Sequence, residues 1–144
     1  MTTTATPMTT TVGFTGTRQG MTQEQKTAVR DLLLQLRPTT VHHGDCIGAD
    51  QEFHDLVRYY LTGTIIEAHP MEPATYRAYC KADVIHPAAA PLARNQVIVK
   101  QSDTMIATPA EACKPACLRG KGTWATINYT QKQGKRLFLL SGNI

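Results

Sequence analysis

Apolar and polar positions along this chain switch repeatedly between a short strand-like run and a helical period, which is the signature of a repeated β–α unit. A β-leaning run from Val12 to Thr17 is followed by Thr22, which reads as a helix N-cap with Glu24 and Gln25 near the place a capping box needs. From Gln23 to Leu36 the apolar residues Ala28, Val29, Leu32, Leu33 and Leu36 recur at helical spacing, and Pro38 stops the run. Thr39 to His43 predicts a second strand. Ala49 to Leu61 predicts a second helix, with Phe53, Leu56, Val57 and Tyr60 on one stripe and Gly63 ending it. Thr64 to Ala68 is continuous and β-branched, as expected of a third strand covered on both faces. Proline-rich His69 to Ala90 has little periodicity and reads as a long loop or short irregular helices over one end of the sheet, and loops of that length are usually functional. Leu92 to Gln101 follows as a helix, Asp103 to Thr108 as a fourth strand and Pro109 to Leu118 as a second loop. Thr123 to Gln133 is a helix stopped by Gly134, and Arg136 to Leu140 a fifth strand. Such alternation predicts an α/β fold: a doubly wound, mostly parallel sheet of about five strands with helices on both faces.

In a sheet of this kind ligands sit beyond the carboxyl ends of the strands, where the strand order reverses. Three glycine-bearing turns would open at that edge. They are Gly13-Phe14-Thr15-Gly16-Thr17-Arg18, His43-Gly44-Asp45-Cys46-Ile47-Gly48-Ala49-Asp50, and Leu118-Arg119-Gly120-Lys121-Gly122-Thr123-Trp124. Glycines let the backbone approach an anion, and the first free amides of the following helix point at it with the positive end of the helix dipole. Any one of these turns suits a tight strand-to-helix connection equally well. Their convergence on one rim favours a ligand cleft.

Length suits one domain, Val12 to the end at Ile144, after a Thr-rich tail from Met1 to Thr11 that lacks the features of a signal peptide. No run approaches the roughly 20 apolar residues of a membrane helix, and the expected location is the cytoplasm. The net charge of +4 suits anionic ligands and falls well short of a dedicated DNA binder's basic stripe. Cys46, Cys80, Cys113 and Cys117 are irregularly spaced, which predicts thiols; Cys113 and Cys117 leave a disulfide or half a metal site open, without a second pair at finger-like spacing. Adjacent His42 and His43 point to opposite sheet faces, so the five histidines predict no metal site, with one buried or edge histidine and several exposed ones.

Phe14 to Arg18, the turn from His43 to Asp50, Leu92-Ala93-Arg94-Asn95 leading to Ser102-Asp103, and Gly120 to Thr123 together resemble the SLOG superfamily of Rossmann-like nucleotide-binding domains, over about Val12 to Leu140. That superfamily includes the lonely-guy phosphoribohydrolases, often described as lysine decarboxylase-like, and the domain of DNA-processing protein A. The resemblance implies a nucleotide or nucleoside phosphate bound at the carboxyl edge, with a sensing or binding role. Its alternatives are an N-glycosidic hydrolase releasing base from a nucleoside 5′-monophosphate, with Arg94 as the catalytic arginine, and single-stranded DNA binding. The hydrolases carry a glutamate just after the Gly-x-Gly-Thr turn, where this chain has Ala125 and Thr126. Asp45, Asp50, Glu67 or Glu72 would have to substitute. Aromatic residues at 6% leave few stacking platforms for DNA.

The expected binding residues are Gly16, Thr17, Arg18, Gly44, Asp45, Arg94, Asn95, Arg119, Gly120, Lys121, Gly122 and Thr123. Arg94 and the Gly120 to Thr123 turn would hold phosphate, and Arg119 and Lys121 would add charge. Asp45 would reach the ligand, while Asp50 would serve the first turn of the second helix. Tyr76 and Tyr79, with Arg77, either close over a base or anchor the long loop. No cofactor and no metal are called for. A homodimer follows from the resemblance alone, with Val97, Ile98 and Trp124 on the apolar face.

Overall fold

The computed structural model describes residues 10–110 and 122–141. Apart from Thr10 and Thr11, the expected tail lies outside the described residues, as do Cys113, Cys117, Arg119, Gly120 and Lys121. Six parallel strands make one sheet: β1 (Thr11–Gly16), β2 (Thr40–His43), β3 (Ile65–Ala68), β4 (Val84–Ile85), β5 (Thr104–Thr108) and β6 (Arg136–Leu139), in the order β4-β3-β2-β1-β5-β6. The order reverses between β1 and β5, and the fold is the doubly wound, Rossmann-like α/β sheet expected. It has one more strand than the five foreseen, because Val84 and Ile85, inside the stretch read as loop, pair with Glu67 and Ala68 of β3.

Helix α1 (Gln23–Leu36) starts where its cap chemistry dictates. Thr22 Oγ1 accepts from the Gln25 amide at 3.1 Å, and Gln25 Oε1 accepts from the Thr22 amide at 2.9 Å. The buried Gln25 then donates from Nε2 to the carbonyls of Pro109 and Leu140, so one side chain fixes both the helix start and the ends of β5 and β6. Arg37, left-handed at φ 44°, and Pro38 end the helix.

Helices α1 and α2 (Ala49–Tyr60) pack on one face over Val12, Phe14, Val41, Ile66 and Ile106, with Phe14 and Phe53 stacked at 4.4 Å. Helices α3 (Pro91–Gln101) and α4 (Gly122–Lys132) pack on the other, around Ile98, Val99 and Met105. Ile98 is therefore core, not part of the expected dimer face, whereas Leu92 and Val97 are exposed. No described helix is long and apolar enough to cross a membrane.

Candidate functional site

A cavity of about 560 Å³ opens at the carboxyl edge, at the point between β1 and β5 where the strand order reverses. Of the residues singled out from sequence, Gly16, Thr17, Arg18, Gly44, Arg94, Asn95, Gly122 and Thr123 line it. Two helix starts face it. Helix α3 begins with Pro91 and has no side-chain cap, and α4 begins at Gly122 with φ 61° and no acidic residue in its first turn.

The first two turns are bound to each other. Gly48, at φ 89°, has Arg18's backbone against it where any Cβ would collide, and the Ala49 amide donates to the Thr17 carbonyl at 3.0 Å. Arg18 lies over the Tyr76 ring at 3.8 Å, which anchors the long loop to the β1 turn and puts both side chains in the cavity wall.

Arg94 comes from the first turn of α3 and is only 8% exposed. Its Nη1 donates to the carbonyls of Gly44 at 2.6 Å and His69 at 3.1 Å, and its Nε donates to Asn95 Oδ1 at 2.6 Å. Among the described residues Nη2 has only the Met71 thioether at 4.0 Å, which leaves that end of the fork directed to a ligand in the cavity. Gly44 is small for this reason: a Cβ there would collide with the guanidinium and come within 2.9 Å of Asp50 Oδ2.

Of the two aspartates of the β2–α2 turn, Asp50 sits in the first turn of α2 as expected, but it and not Asp45 reaches the cavity. Asp45, left-handed at φ 55°, turns its carboxylate away from the cavity, accepting from Arg77 Nε and the Cys80 amide, each at 2.8 Å. Asp50 is the cavity carboxylate, the only one among the described residues that line it. Burial pushes its carboxyl up to about 6, with the Arg94 charge and the Cys46 amide pulling the other way.

The histidines also depart from expectation. His42 and His43 do occupy opposite faces, but neither lines the cavity, and His42, His43, His54 and His69 are all buried. His43 Nε2 lies 3.0 Å from His54 Nδ1, and His42 Nδ1 lies 2.9 Å from His69 Nε2. Burial, followed by neighbouring positive groups, lowers His43 and His69 to about 3 and holds both neutral. The missed signal was register: β2 and β3 pair His42 with Glu67 and bring His69 beside them.

The carboxylates nominated to replace a hydrolase glutamate are not available in the cavity. Asp45 is locked to the long loop, Glu67 Oε1 accepts from His86 Nε2 at 2.7 Å, and neither Glu67 nor Glu72 lines the cavity. That leaves Asp50 alone, against Arg94.

No protein-family model matches the chain, and no curated protein matches its sequence at a significant level. The fold is similar to solved structures. A molybdenum cofactor binding protein from the phototrophic bacterium Rippkaea orientalis superposes with a TM-score of 0.69 at 15% identity, covering 94% of this chain and 78% of that one. A Moco carrier protein from Chlamydomonas reinhardtii gives 0.68 at 18% identity, over 95% of this chain and 78% of its own. A further structure of the molybdenum cofactor carrier protein from Chlamydomonas reinhardtii gives 0.63 at 15%. These neighbours share the Rossmann-like frame implied by the SLOG resemblance, but their ligand is the molybdenum cofactor. They overturn the expectation of a nucleotide or nucleoside-phosphate binder, together with its hydrolase and single-stranded DNA alternatives.

Proposed function

We propose that this chain binds a ligand of the molybdenum-cofactor class in the cavity at the carboxyl edge of its sheet, as a binding or carrier domain. The observation that carries this reading is Arg94, a buried cation at the strand-order reversal with one end of its fork unused by the described residues apart from the Met71 thioether. The ligand class has a reduced pterin, a terminal phosphate and a dithiolene holding an oxo-molybdenum group. It therefore offers anionic oxygens at both ends of a fused-ring body.

The cavity's chemistry fits that description. Arg94 supplies charge-assisted donors for one anionic group, and the starts of α3 and α4 supply amides and dipole for anionic oxygens. Leu92 and Ile98 offer apolar wall for that body, and Tyr76 is held beside it by Arg18. Gly16, Thr17, Gly44, Asn95, Gly122 and Thr123 line the same space and are assigned to ligand contact. Arg119, Gly120 and Lys121, which lead directly into α4 in the sequence, extend the assignment. Membership of the SLOG superfamily, a cytoplasmic location and a homodimer through the exposed Leu92 and Val97 of α3 belong to the same proposal.

The test is transfer under anaerobic conditions. Cofactor released from a molybdoenzyme is offered to the purified protein, which is desalted and assayed for molybdenum by mass spectrometry and for pterin by fluorescence after oxidation. Molybdenum and pterin are expected to co-purify near one per chain, with no retention of molybdate alone and no thermal shift from adenosine 5′-monophosphate. Failure to retain the pterin overturns the reading.

Asp50 adds a pH dependence. Below about pH 6 its carboxyl is neutral, and Arg94 faces the anionic ligand uncompensated; above, the carboxylate repels the ligand and competes for Arg94. Affinity is therefore expected to fall as pH rises through about 6, by roughly tenfold if the ligand's charge lies about 12 Å from the carboxylate at an effective dielectric of about 20, and by more if it lies closer. Asp50→Asn should flatten the profile at its low-pH level, measured by pterin fluorescence across the pH range.

A further inference from the structure

We propose that His42, Glu67 and His69 form a binding site for one zinc-class divalent cation, on the sheet face opposite α1 and α2. The site stands apart from the cofactor reading, since none of the three residues lines the cavity. Val41 and Ile66 point into the core under α1 and α2, so strand alternation puts their successors His42 and Glu67 together on the other face, and the β2–β3 register sets them side by side. His69, just past the end of β3, turns its ring onto them: His69 Nε2 is 2.9 Å from His42 Nδ1, and that Nδ1 is 4.0 Å from Glu67 Oε1.

All three ligand atoms lie within 4.8 Å of one another. Tetrahedral zinc, with bonds of about 2.0–2.1 Å, separates its ligand atoms by about 3.3 Å, so side-chain shifts on the order of an ångström would seat a cation between them. Two imidazoles and one carboxylate leave a fourth position for water. Glu67 is also held from behind. His86 Nε2 lies 2.7 Å from its Oε1, and the His86 ring stacks on His69 at 4.1 Å and 8°, so one residue orients both the carboxylate and an imidazole.

A second group, His43, His54 and Cys80, has similar spacing and a different proton arrangement. The Asp45 amide donates to His43 Nδ1 at 2.9 Å, so Nε2 carries the ring proton and donates it to His54. A cation there would have to displace that proton from a ring already accepting at its other nitrogen. His42 and His69 share one proton between their facing nitrogens, but no described group donates to their other ring nitrogens, so that proton can move there and leave both lone pairs to a cation.

The test uses the full chain, treated with chelator and titrated with Co²⁺ and then Zn²⁺, with Cys113→Ser and Cys117→Ser introduced to remove those thiols as ligands. One equivalent of Co²⁺ is expected to give visible d–d absorption without a thiolate charge-transfer band, to be displaced by Zn²⁺, and to raise the melting temperature. Glu67→Ala should abolish equimolar binding, His86→Ala should weaken it by about tenfold, and Cys80→Ser should leave it intact. Both Glu67 and His86 are partly exposed, and the melting temperature of each metal-free variant reports whether it folds. The inference is overturned by absence of equimolar binding, by a thiolate band lost in Cys80→Ser, or by binding that survives in Glu67→Ala with its spectrum unchanged. Cofactor retention plays no part in this readout, so its loss and the loss of metal binding are separate results.

Discussion

Replacing Arg94 by alanine is expected to lower affinity for the cofactor-class ligand by at least about 100-fold, read as pterin retained after anaerobic transfer and desalting. Truncating one side of a buried, hydrogen-bonded charge pair costs roughly 2–5 kcal/mol, and each 1.4 kcal/mol is about tenfold in binding. Two effects add at this residue. The ligand loses its cationic donor, and the carbonyls of Gly44 and His69, now joined through Nη1, lose the group that holds the β2–α2 turn against the end of β3. Asp50 also loses the charge that pulls its carboxyl down, so it should stay protonated to higher pH in the variant. Arg94→Lys separates charge from geometry. It keeps a cation but not the planar guanidinium that binds two carbonyls through Nη1 and Asn95 through Nε while presenting Nη2 to the cavity, so it should recover only part of the affinity. Arg94→Ala binding as tightly as the native protein, while remaining folded by its melting curve, would remove the central support of the proposed function.

The frame of the molecule was legible because its boundaries are written in local chemistry. Thr22 and Gln25 cap α1 through their own side chains, Pro38 forbids its continuation, and Gly134 ends the last described helix run, so period and punctuation agreed. Strand β4 carries no such mark. Two residues cannot display a period, and Val84 and Ile85 become a strand only because β3 offers an open edge. The convergence of Gly16, Gly44 and Gly122 on one rim was readable from topology, since parallel strands with crossover helices send every β–α turn to the same edge. The assignment of Asp45 and Asp50 was not. Which of two carboxylates five residues apart faces the ligand depends on the left-handed backbone at Asp45, a residue that is neither glycine nor asparagine. The buried histidines failed for a related reason: counting along the chain treats His42 and His69, and His43 and His54, as separate, whereas strand register and helix packing make each pair neighbours. The ligand itself was least legible, because an anion-accepting rim of glycines, amides and arginine is common to nucleotides and to any phosphate-bearing cofactor.

Asp45→Ala is expected to destabilise the fold by about 3–5 kcal/mol and to loosen the long loop. The carboxylate is wholly buried and accepts from Arg77 Nε and from the Cys80 amide, two donors that come from the same loop. The Asp45 carbonyl accepts from the Ala78 amide at 2.8 Å, and the Ile47 amide donates to the Tyr76 carbonyl at 2.8 Å, so the side chain completes a seam joining residues 76–80 to the β2–α2 turn. Removing it strands a buried amide and a partly buried guanidinium, and breaking a buried pair from one side costs about that much. The left-handed backbone adds to the loss, since alanine tolerates φ 55° less well than aspartate. Urea denaturation measures the first effect, and limited proteolysis within residues 71–83 the second, with cleavage expected in native buffer for the variant at protease levels the parent protein resists. Asp45→Asn keeps the shape and an oxygen acceptor but gives up the charge, and it should fall between the two. Ligand affinity in Asp45→Asn should drop far less than in Arg94→Ala, because Asp45 acts on the cavity only through the loop that carries Tyr76 into its wall. Equal losses of affinity in the two variants would return Asp45 to the ligand.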